Sequence, residues 1–299
     1  MKRGDIRIGI SGWRYKGWRG VFYPQGLRQK DELQFASQAF RTIEINGTFY
    51  SLQRPAYFTA WRDQTPDGFV FAVKGPRFIT HMLKLTRAET PLANFFGNGV
   101  LALGAKLGPI LWQFPPNFRF HPEKLATFFT QLPRETRSAA RLARKHDHRI
   151  KGRAWLRTDA DRPLRHAVEI RHDSFRCPQF IDLLREHDVA LVVADTVDWP
   201  LLFDVTADFV YCRLHGSEQL YASGYESEAL DLWAARIVAW SQGGELRDGD
   251  CAHAKKAPAA RRDVFVYFDN DAKVRAPFDA RALQAKVDRL LQGNRKNRR

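Results

Sequence analysis

Eight short apolar runs recur along the chain, separated by longer segments with helical spacing. The runs are rich in Val, Ile, Phe and Tyr, and most are nearly continuous in apolar residues, which is typical of strands covered on both faces. The predicted strands are Ile6 to Ile10, Thr42 to Asn46, Phe69 to Lys74, Pro109 to Phe114, Ala167 to Arg171, Ala190 to Ala194, Phe209 to Leu214 and Val264 to Phe268. The pattern therefore predicts a buried parallel sheet.

Six of the intervening segments have the spacing of amphipathic helices. They are Lys30 to Phe40, Pro55 to Asp63, Pro91 to Leu103, Pro122 to Leu132, Pro178 to His187 and Ser227 to Trp240. Four of them open with proline, whose missing N–H costs nothing in a first helical turn. Strand and helix alternating in 299 residues favours an α/β fold, a closed parallel (β/α)8 TIM-like barrel in a single domain, with a doubly wound open sheet as the alternative.

Two basic segments break the alternation. The segment at about 134–165 holds eleven Lys and Arg against four Asp and Glu, and we expect a mobile basic insertion on the surface of the barrel. The end of the chain, at about 292–299, adds four basic residues and no acid, and we expect a disordered basic tail. Both belong to the single domain that spans residues 1–299.

Composition narrows the range of partners. The chain carries 48 Lys and Arg against 33 Asp and Glu, a formal net charge of +15, which favours a polyanion or a phosphorylated small molecule as ligand. Three cysteines without metal-ligand spacing argue against a disulfide framework and a zinc finger, and favour a cytoplasmic location. No window approaches the ~20 apolar residues of a membrane span. The glycine-rich start lacks GxGxxG and P-loop spacing, so no nucleotide cofactor is indicated.

Nearly every apolar run ends in a polar side chain, and barrel enzymes build their sites at the carboxyl ends of strands. We predict catalytic roles for Glu44, Glu169, His215 and Asp195. The predicted ligand-binding residues lie at the same ends or in the following loops: Trp13, Asn46, Tyr50, Lys74, Arg77, His81, Gln113, Arg171, Arg213, Asp269 and Asn270. We assign none of these residues to a metal.

Alternation along a strand places Glu169 and Arg171 on one face, and likewise Arg213 and His215. We therefore expect these polar pairs to line the barrel mouth. With Lys74 at the same end, the mouth would hold more cations than Glu169 needs, and the surplus would bind a phosphate, sulfate or carboxylate. The alternative is a structural lattice of ion pairs that plugs the barrel.

Six segments resemble, in order, the YecE-like proteins of domain-of-unknown-function family 72. They are Gly9 to Trp18, Glu44 to Tyr50, Phe71 to His81, Leu111 to Pro116, Val168 to Ser174 and Arg213 to Gly216. The resemblance covers about residues 6–275 and implies a TIM-like barrel with no established activity. Two features depart from the family: Asp269 precedes Asn270 where paired asparagines are usual, and the basic insertion is longer.

Three functions are compatible with the sequence. The first is an enzyme or small-molecule binder for an anionic ligand, with Lys74, Arg171 and Arg213 as the clamp. The carboxylates and His215 would then support hydrolysis or isomerisation by general acid/base chemistry. The second is a nucleic-acid-binding protein that uses its basic and aromatic loops. The third is a metal-dependent phosphoesterase or isomerase, which the cations of the same mouth would oppose.

Overall fold

Eight parallel strands form a closed barrel in which each strand pairs with the next along the chain and the last pairs with the first. The computed structural model describes residues 3–216, 223–245 and 248–296. The strands are β1 Ile6–Ser11, β2 Thr42–Ile45, β3 Val70–Lys74, β4 Leu107–Gln113, β5 His166–Glu169, β6 Val189–Asp195, β7 Phe209–Leu214 and β8 Asp263–Phe268. The predicted barrel is confirmed, and the open-sheet alternative is wrong.

Helices cover the outside of the barrel and connect successive strands. Their bounds are α1 Glu32–Ala39, α2 Gly47–Tyr50, α3 Pro55–Asp63, α4 Glu89–Gly97, α5 Pro122–Gln131, α6 Thr136–Ala143, α7 Pro178–Glu186, α8 Ser227–Gln242 and α9 Ala276–Lys296. Proline occupies the first turn of α3, α5 and α7, as the sequence predicts. Helix α9 packs beside α8 and β1, so the end of the chain covers its beginning.

The predicted helix from Pro91 to Leu103 is two separate elements. Helix α4 ends at Gly97, and a 3₁₀ segment follows from Val100 to Lys106. Between them Gly99 has a φ of +118°, and a Cβ there would lie 2.5 Å from the Cα of Pro55. The helix ends here because this backbone conformation and this close approach suit glycine.

The basic segment at about 134–165, for which we expect mobility, contains elements that pack on the rest of the barrel. It contains α6, which contacts α4, and the side chains of Ala139, Ala143 and Ile150 are buried. The small alanine side chains allow the two helices to approach closely. The expected disordered tail at about 292–299 overlaps α9, which is helical to Lys296. Residues 297–299 lie outside the described part of the chain.

Side chains fill the interior of the barrel in layers. A second apolar cluster, separate from the main core, occupies this space and includes Tyr211 and Tyr267. Along β7 the period of two turns Phe209, Tyr211 and Arg213 inward, so an arginine follows the apolar layers toward the barrel mouth. Polar groups at the carboxyl ends of the other strands meet this arginine.

Candidate functional site

Three carboxylates converge on Arg213 inside the barrel. Its Nη1 donates to Oε2 of Glu169 at 2.6 Å. Its Nη2 donates to Oε1 of Glu44 at 2.9 Å and to Oδ2 of Asp269 at 2.7 Å. Nη2 also lies 3.2 Å from Oγ of Ser11, which donates to the same oxygen of Glu44. We call Arg213 with Glu44, Glu169 and Asp269 the Arg213 cluster; its arginine and both glutamates are fully buried.

Charge pairing outweighs the cost of burial in the Arg213 cluster. Burial alone would raise the pKa of Glu169, but the guanidinium groups of Arg171 and Arg213 hold it well below its ordinary value. Arg171 contributes directly, because its Nε donates to Oε1 of Glu169 at 2.8 Å. Burial would also raise the pKa of Asp269, and Arg213 again lowers it. Both carboxyl groups are therefore ionised at neutral pH.

A cavity of about 730 Å³ opens at the mouth of the barrel, beside the Arg213 cluster. Aromatic side chains form much of its wall, including Trp13, Phe49 and Trp61. The structure brings eight of the predicted site residues together in this wall: Trp13, Asn46, Tyr50, Lys74, His81, Gln113, Arg171 and Asp269. The cavity is thus polar where the strands end and apolar along the surrounding loops.

Lys74, the last residue of β3, differs from the other cations of the mouth. It is only 8% exposed, yet within the described residues its ammonium has no hydrogen-bond or ion-pair partner. Its Nζ lies 4.5 Å from the centre of the Phe49 ring. Burial, and then the nearby charge of Arg213, lower the pKa of Lys74 to about 8. Burial of a cation without a direct partner is energetically costly.

Local packing fixes the end of β3 where Lys74 lies. Thr48 Oγ1 donates to the backbone oxygen of Lys74 at 2.6 Å and so ties the loop after β2 to β3. The next residue, Gly75, lies against Trp112, and a Cβ at Gly75 would come within 2.4 Å of the indole ring. This position needs glycine because the tryptophan fills the space that a side chain would take.

Two further titratable groups line the cavity near Lys74. Burial and the positive charge of Arg171 lower the pKa of His81 to about 4, so its imidazole is neutral at pH 7. Burial and the negative charge of Asp269 raise the pKa of Asp271 to about 7. Asp271 is not among the residues predicted from the sequence; it lies in the turn that follows β8, two residues after Asp269.

Asp195 and Asn270 point away from the cavity. In β6 the inward positions are Ala190, Val192 and Ala194, so Asp195 turns outward and accepts a hydrogen bond at 3.1 Å from Trp233 Nε1 of α8. Asn270 Nδ2 donates to Oδ2 of Asp279 in α9 at 2.8 Å. The sequence assigned both residues to the site because they end apolar runs, but the direction of each side chain follows the alternation within the strand.

His215 and Arg77 complete the predicted set. His215 is fully buried beside the Arg213 cluster, with Nδ1 3.2 Å from Oδ2 of Asp269 and its ring against Trp199. It does not line the 730 Å³ cavity. Arg77 is exposed and lines an adjoining cavity of about 520 Å³, together with Tyr50. The structure therefore places His215 beneath the cavity and Arg77 beside it.

The geometry differs from the predicted clamp, in which Lys74, Arg171 and Arg213 together bind the anion. Arg171 and Arg213 form ion pairs with the carboxylates of the mouth, whereas Lys74 forms none among the described residues. Arg213 is held by all three carboxylates, as the lattice alternative describes, and of the three residues of the expected clamp two, Lys74 and Arg171, line the cavity. The carboxylates of Glu44, Glu169 and Asp269 all converge on this guanidinium. Among the described residues, no group of three or more His, Cys, Asp and Glu side chains is arranged to hold a metal ion.

The closed sheet and its surrounding helices define a (β/α)8 barrel with its polar groups at the carboxyl ends of the strands. The family model described as "Protein of unknown function DUF72" matches residues 7–298, and the chain belongs to this family. The resemblance found in the sequence is thereby confirmed. In the part of the chain that the structure describes, no helix is both long and apolar enough to cross a membrane.

Relatives and solved structures agree with this assignment. The chain is 30% identical over 144 residues to UPF0759 protein YecE of Escherichia coli K12 and 31% identical over 130 residues to UPF0759 protein YunF of Bacillus subtilis 168. These matches span 40% of this chain and about half of each relative, 50% and 44% respectively.

Two solved structures show the same fold over nearly the whole chain. A DUF72 family protein from Thermotoga maritima is 24% identical, with a TM-score of 0.70 over 96% of this chain and 99% of its own. One from Enterococcus faecalis is 16% identical, with a TM-score of 0.64 over 98% and 99%. The barrel is therefore the architecture of this family.

Proposed function

We propose that the barrel mouth binds a small anionic organic ligand, such as a phosphorylated or carboxylated compound, and that Lys74 meets its charge. The observation that carries this proposal is the buried ammonium of Lys74, which faces the cavity without a partner among the described residues. An anionic oxygen beside this ammonium would accept a charge-assisted hydrogen bond from it and replace the solvation that the ammonium loses on burial. As part of the same proposal, the cysteine content favours a cytoplasmic protein.

Arg171 provides a further positive charge for binding an anion. Its guanidinium lines the cavity, stacks 3.6 Å from the centre of the Trp199 ring and pairs with Glu169. These contacts hold the group in one orientation, and a planar guanidinium binds anions with defined geometry. The aromatic wall formed by Trp13 and Phe49 would contact the apolar part of the same ligand.

Chemistry on the bound ligand would use Asp271 and His81. A carboxyl group with a pKa of about 7 can give or take a proton at physiological pH, which suits Asp271 to general acid/base catalysis. His81 is neutral and can donate or accept a hydrogen bond without adding charge. The Arg213 cluster would hold the strand ends in position, since its charges are already paired.

Isothermal titration calorimetry with inorganic phosphate tests the proposal. The parent chain is expected to bind phosphate, and Lys74→Gln to lose at least about tenfold in affinity, equivalent to about 1.4 kcal/mol. Lys30→Gln is the matched control, because it removes the same charge from an exposed lysine in the segment before α1. Equal phosphate affinity in Lys74→Gln and the parent would overturn the proposal.

Nucleic-acid binding is the second candidate, and helix α6 is the observation that favours it. Arg137, Arg141, Arg144 and Lys145 are exposed and recur with helical spacing, so they form one basic face. Such a face attracts phosphate backbones without reading their sequence. This face belongs to the outer layer of the barrel, so binding there would be independent of the ligand in the cavity.

A further inference from the structure

Lys74 has the surroundings of an amine that can react, in addition to those of an anion-binding group. It ends a barrel strand, lines a cavity of about 730 Å³ and has an aromatic ring beneath its Nζ. Within the described residues, no carboxylate oxygen lies within 4 Å of that nitrogen. Its nitrogen is therefore not held in the charged form by a direct ion pair.

We propose that Lys74 forms a reversible imine with a small oxo acid, a ligand that carries an aldehyde or ketone beside its anionic group. This inference rests on the proposed binding of an anion, and it specifies the substrate class for the same cavity. The anionic group would lie on the Arg171 side, which leaves the carbonyl carbon next to Nζ of Lys74.

The reaction balances without an oxidant or a reductant. The lone pair of the neutral amine attacks the carbonyl carbon, and the π electrons of the C=O bond move to oxygen, which takes a proton. Nitrogen releases one proton to give the neutral carbinolamine, whose hydroxyl takes up a second proton and leaves as water, and nitrogen releases its remaining proton as the C=N bond forms. The net change is amine plus carbonyl to imine plus one water.

The surroundings of Lys74 favour both the attack of the amine on the carbonyl and the loss of water from the carbinolamine. With a pKa of about 8, roughly a tenth of the amines are neutral at pH 7, a few hundred times the fraction for an ordinary lysine. Asp271 lines the same cavity and can supply and recover the proton that the hydroxyl needs in order to leave. The aromatic wall limits water that would return the imine to the carbonyl.

Lys106 is a lysine that differs from Lys74 in having direct hydrogen-bond acceptors for its ammonium. Its Nζ donates at 2.6 Å to the backbone oxygens of Arg62 and Thr65, so direct acceptors hold its N–H groups, although burial lowers its pKa as well. It lies in the segment that precedes β4, at the other end of the barrel from the cavity. Lys106 therefore serves as an internal comparison within the same chain.

Reductive trapping tests the inference. The full chain is incubated with pyruvate or with glyoxylate and treated with sodium borohydride, and the modified lysines are mapped by peptide mass spectrometry. We expect the adduct at Lys74 to exceed that at Lys106 or Lys30 by about tenfold, and its yield to rise between pH 7 and 8. Propionate, which has no carbonyl, should leave no adduct and should compete with pyruvate.

Lys74→Arg separates this inference from the proposed function. Arginine keeps a cation in the cavity but forms no imine under these conditions, so trapping should be lost while phosphate affinity falls less than in Lys74→Gln; a thermal melt checks that the variant is folded. Lys74→Gln should lose both. Phosphate binding without any adduct at Lys74 overturns the imine and leaves the proposed function standing. Trapping spread over lysines according to their exposure also overturns it.

Discussion

Two buried cations in the same barrel mouth have opposite surroundings. Arg213 is fully buried and bonds to three carboxylates, whereas Lys74 is 8% exposed and has no such partner among the described residues. In the sequence both are basic residues at the end of an apolar run. The difference shows that a buried charge can be part of the framework or available to a ligand, and that its partners decide which.

The chemistry of the two side chains explains the contrast. A guanidinium presents several N–H groups in a plane, so one arginine can hold Glu44, Glu169 and Asp269 at once. An ammonium is a compact point charge that needs strong solvation. The aromatic ring of Phe49 below the ammonium of Lys74 replaces only part of that solvation. The framework role suits arginine, and the exchangeable role suits lysine.

The largest expected effect comes from Arg213→Met. This change leaves three carboxylates facing each other inside the barrel, and we expect it to cost about 3–5 kcal/mol in the free energy of unfolding. Urea denaturation followed by circular dichroism measures the loss. A cost below about 1 kcal/mol would contradict the framework role, since surface ion pairs contribute no more than that.

Replacing Lys74 by glutamine should change the free energy of unfolding by a similar amount, but should raise it. The size of this change should depend on pH. The folded pKa is about 8 and the unfolded value is 10.5, so between these pH values the unfolded chain binds the proton that the folded chain has released. Unfolding then takes up a proton, and stability rises with pH, by about 3 kcal/mol over the whole window.

Lys74→Gln should lack this rise and be more stable than the parent at pH 7. Unfolding free energies of both proteins at pH 7, 8, 9 and 10 give the comparison, and the titration of tyrosines cancels in the difference. Parallel curves for the two proteins would show that the ammonium is not destabilised by its surroundings.

Arg171→Ala should have an intermediate effect. Glu169 keeps its bond to Arg213, so we expect stability to fall by only about 1–2 kcal/mol, less than in Arg213→Met. Phosphate affinity should fall by about tenfold, because the cavity loses the cation that lines it beside Glu169. Calorimetric titration and a thermal melt of the same preparation separate the two effects. A fall in stability as large as that of Arg213→Met would assign Arg171 to the framework.

The smallest effect on stability is expected from the basic face of α6. Replacing Arg141 and Arg144 by glutamine should change the free energy of unfolding by less than about 0.5 kcal/mol, because both side chains are exposed. If the face binds nucleic acid, retention of duplex DNA should weaken and its salt dependence should become shallower. Unchanged retention would exclude this face. Point changes are preferred to removing 134–165, since α6 packs on α4.

Local sequence patterns were sufficient to predict the barrel and many of the residues that line it. Apolar runs and their spacing identify the strands because backbone geometry and burial on both faces impose them locally. The ends of those runs identified Glu44, Glu169 and Arg213 as inward charges. The same rule misplaced Asp195, although the alternation of Ala190, Val192 and Ala194 contained the information needed to turn it outward.

The pairing of these charges depended on tertiary structure. Arg213 on β7 meets Glu44 on β2 across the interior, 169 residues apart in the chain, because barrel closure and strand register bring both to one level. Lys74 on β3 reaches the same mouth but lies beside Phe49, where the carboxylates act on its charge without a direct ion pair. Side-chain type and strand period are local properties, whereas the distance between two charges is set by how eight strands close. That distance separates the framework cation from the one that is available to a ligand.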